Sequence, residues 1–217
     1  MSLMIINPFV FAAAPGLTTI TQVLSATSAG STINFPGGIQ AGDMIVLLDA
    51  AIQSGGSPTA VTPSGFTVIS NQLASAGNAL RTIVSYKLAV GTESGSLTGM
   101  NGSAQNSKLM YVFRGDIAAT LLTLAGLTQQ TTDANPTAQV VAASGGVAPL
   151  VVFGCYSCGD PISPRTMTPA KDGELASASS DAYLAYKIYN SAPADVTVDM
   201  DDEVSRNTLS SFYIQMA

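Results

Sequence analysis

One pattern is written twice along this chain, and it limits the fold more than any single motif does. Arg81-Thr-Ile-Val-Ser-Tyr86-Lys87-Leu88 reads as a strand rich in β-branched and aromatic residues. About a hundred residues later, Asp181-Ala-Tyr-Leu-Ala-Tyr186-Lys187-Ile188 has the same rhythm and the same Tyr-Lys pair. An apolar run precedes each copy, Met44 to Leu48 and Leu150 to Phe153. A strand that begins near an asparagine follows each, Asn106 to Gly115 and Asn207 to Met216. Agreement in order and spacing predicts a degenerate duplication of a strand-rich unit, over about 41–115 and 147–217.

Neither half would bury much core alone, and its terminal strand would be left as an open edge. The expectation is therefore all-β: a jelly-roll-like β-sandwich built from two degenerate Greek-key repeats of about four strands each. Residues 17–217 form the single sandwich domain in this reading, and residues 1–16 an extended N-terminal arm. The arm is apolar and free of charge, punctuated by Pro8, Pro15 and Gly16. Its residues Ile5, Ile6, Pro8, Phe9, Val10 and Phe11 are the candidate interface, because an uncharged apolar arm lies along its own domain or a neighbouring subunit.

Between these runs Gly, Ser, Thr and Ala dominate, as in the turns of all-β proteins, and 3.6-periodic stretches with charged faces are nearly absent. Only 10% of residues are charged and the mean hydropathy is +0.34, so the sequence predicts a secreted or particle-bound protein, or one with much of its surface buried against neighbours. A net charge of −6 with no basic run argues against nucleic acid as partner. Membrane insertion is not expected either: the longest apolar run, Met44 to Ile52, contains Asp49 and falls short of the roughly 20 residues a spanning helix needs. Phe9 to Ala14 resembles a signal-peptide core only in part, since the first basic residue is Arg81 and prolines bracket the stretch.

The chain has no histidine, which removes the Ser-His-Asp and Cys-His arrangements and most zinc sites. No phosphate loop and no Gly-x-Ser-x-Gly elbow is present. Cys155 and Cys158 have C-x-x-C spacing, but on an extended strand they point to opposite faces with Cα atoms about 10 Å apart. They are expected as buried free thiols. Asp199, Asp201, Asp202 and Glu203 could hold calcium, although the spacing is not that of an EF-hand and a solvated acidic loop explains them too. Paired carboxylates for glycoside hydrolysis, with Glu174 or Glu203 as the acid, form the third reading. Trp is absent and most Tyr and Phe fall in strand interiors, so platforms for sugar rings are lacking. No enzyme activity and no cofactor are expected.

Several phrases resemble small β-sandwich virion proteins of tailed bacteriophages. They are Ile6-Asn7-Pro8-Phe9, Ala41-Gly42-Asp43, Pro63-Ser64-Gly65-Phe66-Thr67, Tyr86-Lys87-Leu88-Ala89 with Gly91, and Phe113-Arg114-Gly115. They cover the first half; the second follows as a degraded copy without Pro-Ser-Gly-Phe-Thr or the final Arg-Gly. The resemblance implies a non-enzymatic virion component, assembled in the bacterial host cytoplasm: a capsid-decoration, tail-associated or fibre-like subunit that binds capsid or tail proteins and forms a homo-oligomer. The alternative is a glycan- or receptor-binding module with the loops 54–63 and 159–173 as its rim.

Overall fold

The structure, a computed structural model, describes residues 16–75, 78–98, 105–132, 136–158, 165–177, 182–200 and 206–217. Among them every ladder is antiparallel, and the only helical element is a 3₁₀ turn at Ala143–Gly145. The first half contains β1 (Ile20–Ser28), β2 (Ile33–Asn34), β3 (Ala41–Gln53), β4 (Thr67–Ala74), β5 (Ala79–Val90), β6 (Ser96–Leu97) and β7 (Gln105–Gly115). The second contains β8 (Leu122–Thr132), β9 (Gln139–Val141), β10 (Leu150–Ser157), β11 (Arg165–Thr168), β12 (Gly173–Ser177), β13 (Ala182–Tyr189), β14 (Val196–Met200) and β15 (Asn207–Met216).

Each half builds a complete five-stranded sheet of its own, and the two orders match: β1-β7-β3-β5-β4 and β8-β15-β10-β13-β12. The short strands repeat as well, with β2 on β6 in one half and β9 on β14, extended by β11, in the other. The protein is thus an all-β sandwich. Each half, however, carries more of the jelly-roll scheme than the expected four strands, because the repeat reaches back to include β1 and β8. Cross-strand register makes the halves comparable residue by residue. Tyr86 sits opposite Val46, which faces Tyr111; Tyr186 sits opposite Phe153, which faces Phe212.

The two large sheets stack face to face because alternate residues of β3 and β10 are apolar on that side. Met44, Val46 and Leu48 meet Val151, Phe153 and Cys155 in one core. Aromatic rings join the halves: Tyr111 meets Tyr186 edge-on at 4.8 Å between centroids, and Phe113 meets Phe153 at 5.4 Å. The contact is reciprocal, β1 lying against β12 and β8 against β4. Toward the β4–β8 side the seam turns polar. Ser210 Oγ donates to Gln72 Oε1 at 2.7 Å, Gln72 Nε2 to the Gln130 carbonyl at 2.7 Å, and the Thr208 hydroxyl to Thr82 Oγ1 at 2.8 Å.

The outer face of each large sheet is buried too, which explains why β3 and β10 read as unbroken apolar runs. Ile45, Leu47, Met110 and Val112 pack with Ile33 and Leu97 of β2 and β6. Leu150, Val152 and Leu209 pack with Val141, Met167, Val196 and Val198 of β9, β11 and β14. The two cysteines are buried and form no disulfide, Cys155 lying in the central core and Cys158 in the outer one, as their opposite-face placement requires.

Candidate functional site

The start of β3 and the end of β7 come together around a cleft of about 170 Å³, lined by residues 40–43 and 114–118. Gly42 is at φ +86°, and a Cβ there would come within 2.7 Å of the Ala119 backbone nitrogen, so the approach needs glycine twice over. Asp43, 1% exposed, takes Arg114 in a two-pronged contact, Nε to Oδ1 at 2.8 Å and Nη2 to Oδ2 at 2.7 Å. The same carboxylate accepts the Gln40 backbone N–H at 2.8 Å, and Arg114 Nη2 also donates to the Gly38 carbonyl at 2.8 Å.

The far side of the cleft pins the backbone at the start of β1. Asp116 accepts the Thr18 hydroxyl at 2.5 Å and the Thr18 N–H at 3.0 Å, and these hold its carboxyl down at about 2. Asn190, from the second half, bonds both backbone groups of Ile20, accepting its N–H at 2.7 Å and donating to its carbonyl at 3.2 Å. Asp43 and Arg114 neutralise each other, Asp116 keeps its charge on the Thr18 hydrogen bonds, and all three hold backbone in place. Such an arrangement fixes the backbone around the start of β1 against the end of β7.

The phrases singled out in the sequence have structural work here. Ala41-Gly42-Asp43 and the Arg114-Gly115 of Phe-Arg-Gly are on the two walls of the cleft. Pro63 to Thr67 is a tight turn closed by Phe66 N–H on the Pro63 carbonyl at 3.2 Å, with Gly65 at φ +81°. Lys87, from Tyr-Lys-Leu-Ala, pairs with Glu93 at 2.8 Å, while Lys187 in the other copy pairs with Asp172 at 2.7 Å. Burial pushes the Glu93 carboxyl up, but Lys87 and the N–H groups of Val90 and Gly91 outweigh it and bring it to about 2.

The other candidates are dispersed. Asp199 lies on β14 with its carbonyl, not its carboxylate, in use: it accepts the Tyr156 hydroxyl at 3.3 Å. Asp201, Asp202 and Glu203 lie outside the described residues, as do Ile5, Ile6, Pro8, Phe9, Val10 and Phe11. Among the described residues no three acidic or thiol side chains gather as a metal site would need. Glu174 is bound by Arg165 at 3.0 Å and Lys171 at 2.7 Å. Burial works to raise its carboxyl, and those two cations hold it below the usual range. The Arg165 guanidinium lies 3.5 Å over the Tyr183 ring, so this cluster braces β11 against β13. Of the rim loops, 54–63 is held by Arg81 Nε on the Pro58 carbonyl at 2.7 Å, and part of 159–173 is strand β11.

Two sheet edges were not singled out by the sequence. β1 and β8 are edge strands of nine and eleven residues without one charged side chain. Each has a bulge, between Gln22 and Leu24 in β1 and at Gly126, φ +65°, in β8. Leu127 on β8 and Leu121 beside it are 40% and 57% exposed, and Val140 of β9 is 56% exposed. Comparison with known protein families, curated proteins and solved structures finds no match for this chain.

Proposed function

We propose that this protein is a non-enzymatic structural subunit of a particle exterior, a virion component of the tailed-bacteriophage kind, which works by burying surface against capsid or tail neighbours and copies of itself. The observation that carries this reading is the pair of long, charge-free edge strands. Natural sheets usually guard their edges with lysine, proline or an inward charge. β1 and β8 have one bulge each, a partial guard, but none of these residues, and Leu127 on β8 and Leu121 just before it are exposed. An edge of that kind suits strand addition from a neighbour, with main-chain hydrogen bonds supplying affinity. On a particle, symmetric repetition multiplies such contacts. The phrase resemblance and the low charge point the same way.

Light scattering on the purified chain, with and without residues 1–16, tests the reading. A discrete oligomer that falls to monomer on truncation is expected. A monomer in both forms, together with binding to a defined sugar on a glycan array, would replace it with the glycan-binding alternative.

A further inference from the structure

Lys108 and Asp49 lie directly opposite each other on β7 and β3, the neighbouring central strands of the first sheet. The Lys108 ammonium contacts the Asp49 carboxylate, and their side chains are 0% and 2% exposed. Leu47 and Met110 form the next pair along the same face, and Ile83 of β5 sits beside Asp49. An ion pair so placed is unexpected on energetic grounds. Removing two charges from water costs several kcal/mol per ion, and a well-packed apolar pair of similar size does as well or better. The second half makes that alternative concrete, for the equivalent positions hold Tyr156 opposite Leu209, with Tyr183 in place of Ile83. The fold does not need charge here.

The neutral forms of this pair, an amine and a carboxylic acid, are the nucleophile and electrophile of amide formation, and they carry no separated charge for burial to penalise. Fixed contact raises the effective concentration of such partners to about 10⁵–10⁸ M.

We propose that Lys108 and Asp49 are joined by an isopeptide bond that staples β7 to β3. Lys108 Nζ attacks Asp49 Cγ, the Nζ–Cγ bond forms, and the Cγ–O bond to the carboxyl hydroxyl breaks. That hydroxyl leaves with one Nζ proton as water, the other Nζ proton stays on the amide nitrogen, and no oxidant or co-substrate enters. Exclusion of water from the finished core keeps the amide from hydrolysing. The remaining pairs are unsuited to this step. Arg114 carries a guanidinium that stays protonated, and Lys87, Lys171 and Lys187 are 19%, 31% and 23% exposed, where water reaches the pair. The proposal stands independently of the assembly reading above.

Intact mass of the purified full chain, denatured and reduced, tests it. The expected mass is one water below that of the sequence, after allowance for the initiator methionine. Proteolysis should then yield a single branched peptide carrying both Asp49 and Lys108. Lys108→Arg keeps the charge and cannot condense, so that variant should show the full mass; Asp49→Ala should do the same and serves if the arginine is not accommodated. A full mass for the wild-type chain overturns the proposal, as does a missing water mapped to any other residues.

Discussion

Where the first half places Asp49 beside Lys108, the second places Tyr156 beside Leu209. Where the first joins Asp43 to Arg114, the second has Leu150 opposite Gln215, and Gly42 gives way to Pro149. Strand order, bulged first strand and central aromatic row are nevertheless common to both. The comparison separates what the topology demands from what each copy has chosen. Alternating apolar residues toward the other sheet are required in both; the chemistry of the outer face is free. The second half uses that freedom to reach outward, its Tyr156 hydroxyl donating to the carbonyls of Thr166 and Asp199 and so tying β11 and β14 to the sheet. The first half has a loop where β11 would be.

The sharpest way to break this comparison is to move the row itself. Asp49→Tyr combined with Lys108→Leu copies the second half and removes the cross-link. Denaturant unfolding should show a loss of about 4 kcal/mol, the chain-entropy value for a closed loop of this size. A gain in stability instead would mean that nothing more than an ion pair had been replaced, since that exchange is neutral or favourable. A smaller effect is expected at the cleft. Gly42→Ala must hold a left-handed backbone against Ala118 and Ala119, and should cost about 2 kcal/mol. Gly145→Ala, in the second half and facing open space, should change stability by less than about 0.5 kcal/mol. Equal losses at the two glycines would remove the distinction.

The smallest effect concerns acid. Glu93 has a folded value of about 2, below the value near 4 of an unfolded glutamate. Its contribution is therefore complete above about pH 5 and declines as pH falls through 4 toward 2. Thermal melts across that window should show a shallower decline for Glu93→Gln than for the wild type. Superimposable curves would detach Glu93 from the stability of the first half.

Much of this architecture could be read from residues alone. The Tyr-Lys pairs at 86–87 and 186–187 do fall at matching positions, because a repeated sheet reuses its pattern of buried and half-buried sites. β3 and β10 were legible as continuous apolar runs. The flanking sheets were less so: Ile33–Asn34 reads as a short strand and Gln139–Val141 falls in an apolar segment, but Ser96–Leu97 is too short for periodicity to register, and nothing local says that these strands pair apart from the large sheets. Asp49 reads as a flaw in an apolar stretch, and Lys108 as one polar residue of the Asn106 to Gly115 strand, since their meeting depends on a register between segments far apart in sequence. Asp43 and Arg114 were noticed as parts of recurring phrases, with no sign that one would close on the other.

The reciprocal seam between the sheets has one more consequence. Two identical subunits meeting through such a surface must accept every substitution on both sides at once. Joined end to end in one polypeptide, the halves escape that rule, and their association no longer depends on dilution. One copy could take in charges and the other tyrosines, each change judged on its own side alone.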